Sequence, residues 1–292
     1  MIGVLGATGA VGSAVIRRLA GHPLRTATRA QVTDADALRE FCSGCDVVVN
    51  CVGFGDRIAR VALDAGAHYV DAGDGLAVSG NRVAVTGAGA MPGASGLLAR
   101  YLGGSEALTV YAGGLYRFSP AAAADFVVAD RSLASAAWRD GTVRYGSLPV
   151  QSEVELPFFP QPVTARPYLS VEAQIVARKM GLVEANWYTV FDGHAIQQVL
   201  RNPDPQQLIA ASALDSAGRT PYLVITASMG SRTVVLRGFD GTTLTAVVLA
   251  HTAEVVATLP VGTHYAADVL DPVSTLKPLG VFEASRIEEG AL

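Results

Sequence analysis

Lysine is almost missing from this chain. Lys179 and Lys277 are the only two in 292 residues. Schiff-base chemistry therefore has just two candidates. No Tyr-x-x-x-Lys pair occurs, which excludes the short-chain dehydrogenase arrangement. Charge is also scarce, at 16% of residues, with 22 basic against 26 acidic side chains and a formal charge of −4. No basic stripe stands out, so a nucleic-acid partner is not expected. Three cysteines, an odd count in a long chain, do not make a disulfide scaffold. Cys42 and Cys45 form one Cys-x-x-Cys with no second pair, so zinc lacks ligands and incidental spacing is the favoured reading. The five histidines show no metal-ligand spacing, and no metal is expected. No run of about 18 apolar residues is present, so no membrane span is expected. Met1 leads straight into Ile2–Leu5 with no charged n-region or cleavage site, and a cytoplasmic protein is expected.

What is present is apolar material, half of all residues. That supplies a large core and argues against disorder. At about 100–200 residues per domain, the length predicts two domains or one large one. Residues 1–5 read as a strand. Val11, Val15, Ile16 and Leu19 recur at helical spacing until Gly21 and Pro23 stop the helix. Leu24–Thr28 reads as a second strand. Thr33-Asp34-Ala35-Asp36 reads as a helix cap. Asp46–Gly53, His68–Asp71 and Arg82–Thr86 read as further strands, with helices from Ile58 and from Pro92. This alternation predicts an α/β fold, a Rossmann-type doubly wound parallel sheet. Residues 107–118 read as a strand and 121–139 as an Ala-rich helix. A Pro-rich stretch follows to about 170, expected to hold loops and edge strands. Helices are expected at 171–181, 204–216 and 243–259. Strands at Thr220–Ala227 and Arg232–Phe239 flank a turn. This half predicts an α+β domain containing an antiparallel sheet. The expected boundaries are 1–112 for the dinucleotide-binding domain, joined by returning helices in 242–292, and 113–241 for a substrate and dimerisation domain.

Gly6-Ala7-Thr8-Gly9-Ala10-Val11-Gly12 joins the first strand to the first helix. Gly6 permits the turn, Gly9 the approach of a pyrophosphate, and Gly12 close helix packing. The helix N-terminus then faces the phosphates. After the second strand stand Thr28 and Arg29, with Arg25 nearby and no acid before Asp34. A basic residue there suits a 2′-phosphate, so NADP(H) is favoured over NAD(H). The short run from Arg29 to the next cap trims the adenosine side. Cys51, Val52 and Gly53 end a central strand and complete the cofactor residues; Cys51 reads as a buried small hydrophobe rather than a nucleophile. Asp74 follows a strand at its carboxyl end. Tyr116 and His194 follow later strands. These three are the candidate proton donors. The loop Gly87–Gly93 offers Met91 and Pro92, with Tyr116, to a substrate pocket.

Several segments together resemble the saccharopine dehydrogenase-like oxidoreductases. They are Gly6–Gly12, Asp46–Gly53, Ala62–Asp71, Gly87–Gly93, Gly238–Thr245, Asp271-Pro272 and Leu276–Leu279. Phe54-Gly55 stands where that family usually has Pro-Phe. The resemblance implies an N-terminal Rossmann domain, a central α+β domain and C-terminal helices that return to the first. It also implies NAD(P)H-linked reduction of an imine or a conjugated C=C bond. The substrate expected is a small or carrier-tethered biosynthetic intermediate, in secondary metabolism. A homodimer is expected. Two other readings are a redox-neutral cyclase or isomerase using a degenerate cofactor cleft, and a non-catalytic nucleotide-sensing protein.

Overall fold

The computed structural model describes residues 1–238 and 240–285. In chain order the first elements are β1 (Ile2–Leu5), α1 (Ala10–Arg18), β2 (Leu24–Ala27), α2 (Arg29–Thr33), α3 (Ala35–Ser43) and β3 (Val47–Asn50). Then come α4 (Gly55–Asp64), β4 (His68–Asp71), β5 (Val83–Thr86) and α5 (Ala94–Leu102). The middle holds β6 (Leu108–Leu115), α6 (Pro120–Val128), β7 (Ala137–Arg139), β8 (Thr142–Arg144), β9 (Gln151–Val154) and β10 (Val163–Pro167). It continues through α7 (Val171–Lys179), β11 (Glu184–Phe191), α8 (His194–Val199), α9 (Pro205–Asp215), β12 (Tyr222–Met229) and β13 (Arg232–Gly238). The last elements are α10 (Gly241–Val255), β14 (Gly262–Tyr265), α11 (Ala266–Val269), α12 (Pro272–Leu276) and β15 (Phe282–Ser285).

The chain divides into two compact units. The first holds Met1–Leu97 and Thr242–Pro278; the second holds Leu98–Gly241 and the described residues from Leu279. The expected boundary at 112 falls inside β6, a strand of the second unit's sheet. Residues 286–292 of the expected returning segment, and Phe239 of the expected last strand, lie outside the described residues.

The first unit is a parallel six-stranded sheet ordered β2-β1-β3-β4-β5-β14. β1, β3 and β5 are buried along their whole length, as apolar β-branched strands covered on both faces must be. Leu38, Phe41, Val48, Ile58 and Tyr69 fill the core of this unit. The chain winds outward from β1 to β2, then reverses and winds from β3 to β14. The reversal falls between β1 and β3, where an open α/β sheet opens its ligand crevice at the carboxyl edge. β2 is an edge strand and only partly buried. α2 and α3 follow it in the chain, and among the described residues no strand pairs outside β2.

The second unit is a nine-stranded sheet along the path β15-β13-β12-β6-β11-β10-β9, with β7 and β8 joined at β11. It is mixed rather than purely antiparallel, because β6 and β11 run parallel in its centre. β10 is an interior strand despite its Pro-rich surroundings. The expected helix over 121–139 stops at Val128. Ala129 turns extended, Asp130 caps a short 3-10 turn, and Trp138 joins a strand whose indole N–H donates to Leu182 O at 2.8 Å. High alanine content favours helix, but strand pairing at β7 overrides that local preference.

Candidate functional site: the carboxyl edge of the parallel sheet

Gly6 turns the chain out of β1 at φ +79°, a left-handed value that suits glycine. Its carbonyl accepts the Gly9 N–H at 2.9 Å, closing the loop. A Cβ on Gly12 would stand 2.1 Å from Gly6 O, so only glycine lets α1 lie this close to the strand. Gly9 caps α1 without a side chain, and the first intrahelical bond runs from Ser13 N to Gly9 O at 2.9 Å. The amides of Ala10, Val11 and Gly12 thus open the helix with no side-chain cap, as an anion-binding helix start requires. Ala7, Thr8 and Gly9 stand on the rim, Thr8 and Gly9 exposed.

At the end of β2, Thr28 caps α2 in a reciprocal capping box with Gln31. Arg29 opens that helix with an exposed side chain. Arg25 turns the other way. Its guanidinium lies 5.0 Å from the Phe41 ring centroid and donates to Phe41 O at 3.3 Å, so it does not join Arg29.

The turn after β3 is held by a buried polar chain. The Asn50 amide donates to Gly53 O at 2.9 Å and to the Tyr69 hydroxyl at 2.8 Å, while Asn50 Oδ1 accepts the Val52 N–H at 3.1 Å. Tyr69 in turn donates to Asp71 Oδ2 at 2.8 Å. Asp71 Oδ1 accepts the Gly73 N–H at 3.1 Å, and the Thr86 hydroxyl lies 3.0 Å from it and 2.6 Å from Gly73 O. Burial, reinforced by the Asp71 charge, pushes the Tyr69 phenol well above its ordinary range. Three adjacent strands are thereby tied together at their carboxyl ends, and Cys51, Val52 and Gly53 are set against the glycine loop. A Cβ on Gly6 would stand 2.6 Å from Val52 Cγ1. Burial first, and Asp71 second, push the Cys51 thiol up to about 12. That leaves it a protonated packing residue. Phe54 follows in a left-handed conformation (φ 56°) with its ring 72% exposed at the start of α4. A left-handed conformation at a non-glycine residue is strained backbone.

Asp74 lies beyond β4 and accepts a hydrogen bond from the Tyr265 hydroxyl at 3.0 Å. Desolvation by its loop raises the Asp74 pKa, and the Tyr265 hydrogen bond works against that rise. The loop after β5 is knotted on itself, with Gly89 N–H donating to Pro92 O at 3.1 Å and Ala94 N–H to Gly89 O at 2.9 Å. A Cβ on Gly93 would meet Gly89 O at 2.1 Å. Met91 and Pro92 are half-buried on this knot, and the Ala90 N–H donates to Thr245 Oγ1 of α10 at 3.1 Å. The glycine loop, Thr28–Arg29, Cys51–Gly53, Asp74 and Met91–Pro92 thus all follow carboxyl ends of one sheet.

Tyr116 and His194 belong to the second unit. Tyr116 follows β6 and packs on Phe118 and Phe191, with ring centroids 5.5 and 6.5 Å away. Burial drives its phenol well above the ordinary range. His194 is the exposed first residue of α8. Beside it, Asp192 is buried and gripped by Arg219 at 2.7 Å, by the Tyr222 hydroxyl at 2.7 Å and by Gln161. Among the described residues no group of three or more His, Cys, Asp or Glu side chains is arranged to hold a metal.

Sequence reading missed Tyr265, because β14 is short, partly buried and far along the chain from Asp74. It also missed the linkage of Asn50, Tyr69 and Thr86. Their polar side chains inside apolar strands were the available signal. Phe54 was visible only as a departure from a family pattern.

A doubly wound parallel sheet with a glycine-lined first helix is a Rossmann-type unit, and a mixed-sheet unit follows it. No protein-family model matches the chain. No curated protein matches it either. Among solved structures, it is similar to apo saccharopine dehydrogenase (L-Glu forming) from Saccharomyces cerevisiae, at 13% identity over 97% of this chain and 99% of that one, with a TM-score of 0.61. It is also similar to homospermidine synthase from Legionella pneumophila in complex with NAD, at 10% identity over 97% and 91% of the two chains, with a TM-score of 0.58. The chain therefore has the saccharopine dehydrogenase-like fold.

Proposed function

We propose that this chain is an NAD(P)H-dependent reductase acting on an imine or a conjugated C=C bond of a small biosynthetic intermediate. The observation that carries this reading is the uncapped, glycine-lined start of α1 at the winding reversal of the sheet. The amides of Ala10, Val11 and Gly12 would hold the pyrophosphate, and Gly9, lacking a side chain, would let it approach. Thr28 and the exposed Arg29 support a 2′-phosphate, which favours NADP(H) over NAD(H). The main chain of Cys51–Gly53 lines the same crevice. A bound nicotinamide supplies hydride.

The chain itself has to hold the substrate and deliver a proton. Asp74 is the favoured donor, since its raised pKa keeps a larger protonated fraction and Tyr265 orients it. Tyr116 and His194 are the alternative donors. Met91 and Pro92, with Tyr116, are proposed to contact the substrate, which is free or carrier-tethered. A homodimer in the cytoplasm is proposed, and three free thiols suit a reducing compartment.

A second reading has one observation in its favour. Among the described residues no strand pairs outside β2, so the adenosine end has less to rest on. A redox-neutral cyclase or isomerase, or a nucleotide sensor, would fit a weakened cofactor site. Following NADPH absorbance with a panel of cyclic imines and enoyl thioesters tests the choice. Turnover that falls in Asp74→Asn supports the reductase. Substrate conversion that leaves NADPH unchanged supports the redox-neutral enzyme.

A further inference from the structure

Ala14, Arg17 and Arg18 stand at positions i, i+3 and i+4 of α1, so they share one side of the helix. With Thr243, in the first turn of α10, they line one cavity of about 220 Å³. All four residues belong to the first unit. Ala14 is buried and its small side chain leaves room in the wall, while both arginines are exposed. Neither arginine has a hydrogen bond or ion pair to any described residue.

The negative end of the α1 dipole favours basic residues in its last turn. It does not require both of them to border one cavity. Neither helix supplies a counter-ion there. α1 carries no acid, and α10 carries none before Glu254. Glu254 is paired with His22 at 3.2 Å. Asp240, immediately before α10, already has a partner of its own. Two positive charges that face one space without a carboxylate attract an anion. The cavity has room for about seven water molecules at ~30 Å³ each. That is less than the ~300–1,000 Å³ of a whole small-molecule pocket, so it suits one anionic group of a ligand. A phosphomonoester carries about −1.5 to −2 at pH 7, which balances two arginines, whereas one carboxylate balances only one. The guanidinium fork also matches phosphate oxygens.

We propose that Arg17 and Arg18, with Thr243, form a binding site for the phosphate group of a phosphomonoester ligand. Arg17 lies seven residues beyond Ala10, about 10 Å along the helix, so this site is separate from the glycine loop. It does not depend on the dinucleotide reading, and its test contains no nucleotide.

The full chain is titrated calorimetrically at neutral pH with sodium phosphate and, separately, with sodium malonate, a dicarboxylate. Ionic strength is held constant with sodium chloride. The expected result is saturable phosphate binding, weaker malonate binding, and a loss of phosphate affinity of about tenfold in Arg17→Gln and in Arg18→Gln. Arg144→Gln, at an exposed arginine of β8, should bind like the parent. A second measurement needs no variant. An arginine-selective dicarbonyl reagent, read by peptide mapping, should modify Arg17 and Arg18, and phosphate should slow both while leaving Arg144 unprotected. Absence of saturable phosphate binding at millimolar concentration overturns the proposal. So does tighter binding of malonate, or phosphate that protects neither Arg17 nor Arg18. Phosphate binding that survives both substitutions and falls in Gly9→Ala puts the anion at the glycine loop and overturns it as well.

Discussion

Tyr265, the last residue of β14, donates its hydroxyl hydrogen to Asp74 Oδ1 at 3.0 Å, joining residues 191 positions apart. Desolvation raises the Asp74 pKa and Tyr265 restrains the rise. A carboxyl whose folded pKa is raised binds protons better in the folded chain. Its effect is favourable at low pH and is lost as pH rises through the folded value. Asp74→Asn should therefore melt slightly higher than the parent at neutral pH, by about 1 °C because the group is exposed, and the gain should vanish near pH 3. Tyr265→Phe removes the restraint. If Asp74 is the proton donor, the alkaline limb of kcat in Tyr265→Phe should move to higher pH. An unmoved limb would take Asp74 out of that role.

Gly9 and Gly12 differ in the room each leaves for a side chain. A Cβ on Gly12 would meet Gly6 O at 2.1 Å, whereas one on Gly9 would meet it at 3.3 Å. Gly12→Ala should destabilise the chain by about 1–3 kcal/mol through overpacking. Gly9→Ala should cost less stability than Gly12→Ala and weaken NADPH binding at least tenfold, since its methyl group would stand where the pyrophosphate is proposed to approach. Equal stability losses in both variants would contradict this division.

The cysteines should behave as core residues. Burial pushes the Cys51 and Cys42 thiols up to about 12, and Cys45 moves in the same direction. At pH 8 all three remain protonated, and a thiolate-selective disulfide reagent should label the native chain slowly. Labelling should go to completion once urea unfolds it. Fast native labelling of Cys51 would reopen its candidacy as a nucleophile.

The β1–loop–α1 unit was legible because three local signals agree there: an apolar run, glycines at turn positions, and helical spacing of Val11, Val15 and Leu19. Val15 and Leu19 are fully buried, as that spacing requires. Where local preference and pairing disagree, the sequence misled. The alanines after Pro120 favour helix, but the chain beyond Val128 gains more by pairing Trp138 into a strand. Arg29–Thr33 read as a connection because its helix is short, though Thr28 and Gln31 carry a capping pair. The parallel pairing of β6 with β11 has no signature in either strand alone. The contact of Tyr265 with Asp74 depends on the return of the chain through β14 and is not written in local spacing.

The most direct test of the central claim is an equilibrium titration of the purified chain with NADPH and with NADH, alongside Arg29→Ala. The account predicts micromolar or tighter NADPH binding, weaker NADH binding, and an Arg29→Ala loss of about tenfold confined to NADPH. Absence of binding of either nucleotide at millimolar concentration would contradict it and leave the glycine loop as a structural turn.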